Sequence, residues 1–163
     1  MIEPVLISQV MVSTSGSQLL PVKAVRALID HLLPQATVLT PNVPEAHLLL
    51  SEAGKAVSNA QSVDDLINMA KTVQSLGPQY VLVKGGHIPF KKDGSVAKTD
   101  EEREMMVDIL YGEGEVTKIE TAYQKSKNTH GTGCSLACRW LLILVSKLAD
   151  CSSCYCFKSC KWT

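Results

Sequence analysis

With 163 residues, 45% of them hydrophobic and 20% charged, the chain has the length and composition of one packed globular domain. Sixteen Lys and Arg balance sixteen Asp and Glu, and no long run of either sign occurs. This balance gives no reason to expect a nucleic-acid or anionic-membrane partner and leaves a small molecule as the expected one.

The N-terminal stretch Met1 to Val12 is apolar but lacks a basic n-region and a small-residue cleavage site, so it reads as a strand and not as an export signal. The longest wholly apolar run, Trp140 to Val145, is far shorter than the roughly 20 residues a membrane span needs. A soluble, cytoplasmic protein is expected. Of six cysteines, Cys151, Cys154, Cys156 and Cys160 fall in the last thirteen residues, which is not the even spread of a secreted disulfide framework.

Val5 to Val12 predicts one buried strand ending at Ser15-Gly16. Pro21 is placed like a first helical residue, and Val22, Val25, Leu28, Ile29, Leu32 and Leu33 then share one helical face until Pro34. Ala36 to Leu39 is a short strand. A second helix should begin near Pro44, because Asn42 followed by Glu45 has the spacing of a capping box. Ser62-Val63-Asp64-Asp65 starts a third, whose Leu66, Met69, Ala70, Val73 and Leu76 form an apolar stripe before Gly77-Pro78. Tyr80 to Val83 is apolar throughout, as in a parallel strand covered on both faces, and it runs into Lys84-Gly85-Gly86-His87. Phe90 to Arg103 is polar and weakly patterned, which predicts a surface loop or flap. Met105 to Tyr111 and Glu115 to Glu120 read as hairpin strands around Gly112-Glu113-Gly114.

The stretch Asn128-Thr129-His130-Gly131-Thr132-Gly133-Cys134 joins a glycine turn to a thiol and opens an apolar helix through Leu136, Trp140, Leu141, Leu144 and Leu148. Amides at a helix N-terminus bind anions, and a cysteine in the first turn has its thiolate favoured. A plain glycine turn with Cys134 as a small buried hydrophobe fits the same residues. From Asp150 the periodicity stops, and residues 150–163 form a Cys-rich tail read as disordered. Its spacing lacks the two separated C-x-x-C pairs of a zinc site.

Three segments together, Thr40-Pro41-Asn42-Val43-Pro44-Glu45-Ala46, Val81-Leu82-Val83-Lys84-Gly85-Gly86-His87 and Asn128 to Cys134, resemble the hydroxymethylpyrimidine and phosphomethylpyrimidine kinases of thiamine biosynthesis. Met11 to Gly16 and Val107-Asp108-Ile109-Leu110-Tyr111 add weaker matches, so the resemblance covers roughly residues 10 to 140. It implies a ribokinase-like α/β fold, a three-layer sandwich around a mostly parallel sheet, occupying residues 1–149. The active site would lie at the carboxyl ends of the strands.

The resemblance also implies roles. The amides of Gly131, Thr132 and Gly133 would form an anion hole for the phosphate in transfer, and Cys134 would activate the attacking oxygen of the substrate. Lys84 would face the phosphates of ATP. Asn42 and Glu45 would line the magnesium and phosphate site, Glu45 through water. His87 and His130 lie in the matching motifs and are expected as hydrogen-bonded turn residues. The substrate would be hydroxymethylpyrimidine or its phosphate, with ATP and Mg2+ as cofactors. A pyridoxal-type kinase and a non-catalytic nucleotide-binding remnant are the alternatives, with a metal-binding tail a third. Family members carry about one hundred further residues ahead of this region. The sheet is therefore expected to be incomplete, with exposed edges that favour poor stability, self-association or binding to a full-length partner.

Overall fold

The structure, a computed structural model, describes residues 5–8, 11–12, 18–56, 59–86 and 88–123. All of them lie in one compact unit, Met1–Lys127. The stretch Gly131 to Cys134, the helix expected after it and the Cys-rich tail fall outside the described residues.

Among the described residues five strands form one sheet in the order of the chain: β1 (Leu6–Ile7), β2 (Val38–Leu39), β3 (Tyr80–Val83), β4 (Met105–Gly112) and β5 (Glu115–Ala122). The first three run parallel, and β4 and β5 add an antiparallel hairpin, as the apolar β3 and the later alternating strands predict. The hairpin turn is Glu113-Gly114, with φ of 53° and 81°, a left-handed pair suited to the twist of a two-residue connection. Gly112 precedes it because a Cβ there would lie 2.1 Å from the Tyr80 ring. That ring is buried at the amino end of β3. Its hydroxyl is pushed up to about 12 by burial first, then by its bond to Glu113 and the charges of Glu113 and Glu115.

Helices α1 (Val22–Ala27), α2 (Val43–Glu52) and α3 (Val63–Gln74) connect the parallel strands. Their buried residues, among them Val25, Leu49, Leu66 and Val73, share one core with Ile7, Leu39, Val81, Val83, Val107 and Ile109. The alternate strand positions Val38, Tyr80 and Leu82 are buried as well. Strand side chains point alternately to the two faces, so these three lie on the face opposite the helices.

Three sequence expectations change in detail. Pro21 is the N-cap of α1, not its first residue, and the helix does not run regularly to Pro34. It widens to a π segment over Leu28–Leu32 and tightens to a 3-10 turn over Leu33–Gln35. Proline has no N–H for the preceding turn and its ring crowds that turn's carbonyl, so the hydrogen-bond ladder cannot continue unchanged into Pro34. The N-terminal strand is only Leu6–Ile7; Met11 is buried separately and Val12 bridges Gln18 in antiparallel fashion. The 90–103 segment is on the surface, but Phe90 is fully buried and bridges both Val96 and Met105, which ties the loop to the sheet.

Candidate functional site

The described candidate residues gather where the parallel strands end. At the end of β2 the chain passes through Thr40 and Pro41 into α2, and Asn42 caps that helix. Asn42 Oδ1 accepts from the Glu45 N–H at 2.8 Å, and Glu45 Oε2 accepts from the Asn42 N–H at 2.8 Å. The capping box read from the sequence is therefore present. Glu45 does more than close it. Its Oε1 accepts from the Met11 N–H at 3.2 Å, so this carboxylate, 2% exposed, ties the start of α2 to the segment after β1. The orphan amides of the helix start and the helix dipole both favour a negative charge there.

Lys84 follows β3 directly. Its N–H donates to the Pro41 carbonyl at 2.9 Å, and it forms a parallel bridge with Asn42. Among the described residues no carboxylate forms an ion pair with it. Gly85 comes next and is glycine of necessity: a Cβ would lie 2.0 Å from the Val107 carbonyl oxygen on β4. That close approach is what only glycine permits. Gly86 has more room, with the Met106 side chain 3.3 Å from a Cβ position.

Asp108 belongs to this site although the sequence reading gave it no role. It sits on β4 between Val107 and Ile109, both fully buried, and is itself 8% exposed. Its Oδ1 accepts from the Gly85 N–H at 2.8 Å. Burial holds its carboxyl above the usual carboxylate range, against the opposing effects of the Gly85 N–H and the Lys84 charge. The β3–β4 register pairs Val83 with Ile109, and one further step sets Lys84 opposite Asp108. With the Asn42–Lys84 bridge, an amide, an ammonium and a carboxylate form one row across three neighbouring strands. The clue in the sequence is a charge inside an otherwise apolar strand, which is costly unless something partners it.

One further polar group lies nearby in the chain. The Thr40 hydroxyl is buried and has no hydrogen-bond partner among the described residues. His87 and the stretch Gly131 to Cys134 lie outside the described residues.

A cluster of polar residues at the ends of parallel strands accords with what the chain is similar to. The phosphomethylpyrimidine kinase model matches residues 1–150. This chain belongs to the phosphomethylpyrimidine kinase family. A hydroxymethylpyrimidine/phosphomethylpyrimidine kinase of Synechococcus elongatus is 38% identical over 134 residues, covering 82% of this chain and 44% of that protein. Among solved structures, the ADP complex of Bacillus subtilis pyridoxal kinase is 31% identical with a TM-score of 0.60, over 83% of this chain and 44% of that one. Staphylococcus aureus pyridoxal kinase with AMP-PCP is 26% identical with a TM-score of 0.64, over 88% and 46%. The fold is thus the ribokinase-like α/β fold of these kinases, and the chain spans under half the length of each of these three relatives.

Proposed function

We propose that this chain carries the phosphoryl-donor side of an ATP-dependent kinase acting on hydroxymethylpyrimidine or its phosphate. The observation that carries the proposal is the meeting of Asn42, Glu45 and Lys84 at the carboxyl ends of β2 and β3, in a chain of the phosphomethylpyrimidine kinase family. Lys84, with no ion-pair partner among the described residues, offers its ammonium to the phosphates of ATP.

The oxygen-only donors around Lys84 suit magnesium better than a softer ion. Each Glu45 oxygen already accepts one backbone N–H, which leaves room for a water but not for a stripped cation. Among the described residues no three His, Cys, Asp or Glu converge. Asn42 and Glu45 would therefore hold magnesium through its water shell, the phosphates supplying the direct ligands. When bound, magnesium neutralises charge on those phosphates.

The remaining chemistry falls to Gly131, Thr132, Gly133 and Cys134. The Cys134 thiolate takes the proton from the attacking oxygen of the substrate, the hydroxyl of hydroxymethylpyrimidine or a protonated phosphate oxygen of its phosphate, as that oxygen bonds to the γ-phosphorus and ADP leaves. The amides of residues 131–133 hold the phosphoryl oxygens during that transfer. A pyridoxal-type substrate is the second reading, favoured by the similarity to two pyridoxal kinases of solved structure.

A coupled ADP-release assay with ATP, magnesium and hydroxymethylpyrimidine phosphate, and in parallel with pyridoxal, tests these readings. Turnover on the pyrimidine that falls at least about a hundredfold in Cys134→Ala supports the proposal. Undiminished turnover in that variant sinks the role of Cys134. Turnover on pyridoxal alone replaces the first reading with the second. If neither substrate turns over but ADP raises Tm, the nucleotide-binding remnant is the correct description.

A further inference from the structure

The turn that follows β3 is fixed from the β4 side by two consecutive residues. The Val107 carbonyl oxygen occupies the space a Cβ of Gly85 would need, and Asp108 Oδ1 accepts the Gly85 N–H at 2.8 Å. From the β2 side, the Pro41 carbonyl accepts the Lys84 N–H at 2.9 Å. Lys84 and Gly85 are therefore held at both backbone amides, while the lysine side chain is left without an ion-pair partner among the described residues. Among the described residues Gly85 is the one hydrogen-bond donor to this buried carboxylate, an expensive arrangement, since an apolar residue with a rearranged turn would avoid the desolvation.

We infer that Asp108 is the positioning residue of the phosphate lysine: it fixes the Gly85 amide, and through it the direction from which Lys84 leaves the sheet. The inference rests on the reading above that Lys84 meets nucleotide phosphates. Asp108 acts as a hydrogen-bond acceptor in this role, not as a charge. Its negative charge, standing opposite Lys84, weakens the attraction of any phosphate for the site. The two contributions have opposite signs, and two substitutions separate them. Asp108→Asn keeps an acceptor oxygen for Gly85 and removes the charge; Asp108→Ala removes both.

The test measures magnesium-ADP and AMP binding by titration calorimetry on the full chain, together with hydrogen exchange at the Gly85 amide by NMR. Asp108→Ala should weaken ADP about tenfold or more and weaken AMP, which lacks the β-phosphate, by less than about threefold. Its Gly85 amide should exchange at least about tenfold faster. Asp108→Asn should keep Gly85 protected and bind ADP as tightly as the wild type or more tightly. Should the alanine variant fail to fold, the asparagine variant decides by itself. Faster Gly85 exchange or weaker ADP binding in Asp108→Asn overturns the inference, as does wild-type behaviour of Asp108→Ala in both measurements. Equal losses for ADP and AMP overturn it too, because they mark a general loosening of the fold. A wild-type chain that binds no ADP instead removes the kinase reading and the phosphate half of the inference with it. Gly85 exchange then decides the backbone half.

Discussion

Glu45 joins the start of α2 to the segment after β1 through one carboxylate, so its removal has a cost that follows from its bonds. In Glu45→Ala the Asn42 and Met11 amides both lose an ionised acceptor, at 2.8 and 3.2 Å in the wild type. A hydrogen bond to a charged partner contributes about 1.5–3 kcal/mol, and Met11, 1% exposed, has little access to replacement water. Allowing for partial relaxation at the more accessible Asn42, the expected loss is about 3–5 kcal/mol. Asn42→Ala removes only the cap to the Glu45 N–H and should cost about 1 kcal/mol. Glu45→Gln keeps one acceptor oxygen but points an NH2 group at one of the two amides, which places it between these variants at about 2 kcal/mol. Urea unfolding at pH 7, with the shift in midpoint read at constant m, measures all three. An alanine variant within about 1 kcal/mol of the wild type would refute the reasoning, because the carboxylate would then owe nothing to its buried amides.

Gly85→Ala places a Cβ 2.0 Å from the Val107 carbonyl oxygen, backbone against backbone, and should cost more than about 3 kcal/mol in the same unfolding experiment. Ser62→Ala, which loses the N-cap of α3 to the Asp65 N–H, should cost about 1 kcal/mol. Arg26→Ala breaks an ion pair to Glu52 whose arginine side chain is 66% exposed, and should change stability by less than about 1 kcal/mol, a difference that shrinks as salt is added. For Asp108 the sign with pH is the reverse of the common carboxylate case. Its folded pKa is raised, so the native state binds the proton more tightly than the unfolded chain does. The burial penalty is present at neutral pH, is relieved as pH falls through the raised folded value, and is fully relieved below the ordinary value of 3.8. The stability of the wild type relative to Asp108→Asn should therefore rise on acidification; a constant or falling difference across that window contradicts the burial argument.

What could be read in the sequence was what neighbouring residues decide among themselves. The capping box needs only Asn42 and Glu45, three apart; the hairpin needs Gly112, Glu113 and Gly114; β3 announces itself by four apolar residues between Gly77-Pro78 and Lys84-Gly85. The contacts that turn these parts into a site span longer separations. Met11 and Glu45 are 34 residues apart, and Gly85 and Asp108 are 23 apart. Nothing local distinguishes Glu45 as a cap from Glu45 as an anchor for a distant amide. Asp108 does not stand out in the sequence, because a polar residue between two apolar ones is ordinary in a hairpin strand; it becomes informative only when the sheet buries both faces at that point. The π segment over Leu28–Leu32 was invisible for another reason, since a single widened turn leaves the apolar stripe of a helix nearly unchanged.

Asn42 and Lys84 form a parallel bridge just beyond β2 and β3, and the β3–β4 register sets Lys84 opposite Asp108. Asp108 acts on this row through the Gly85 N–H that its side chain accepts. The outer two also close the row by different means. Asn42 is held by a helix start that Glu45 anchors to Met11, and Asp108 by a strand whose neighbours Val107 and Ile109 are core residues. Lys84 alone carries a side chain that the surrounding described protein does not pair. A cation fixed at its backbone amide, flanked by groups committed to other contacts and without an ion pair among the described residues, is the feature on which the proposed phosphate role of Lys84 rests.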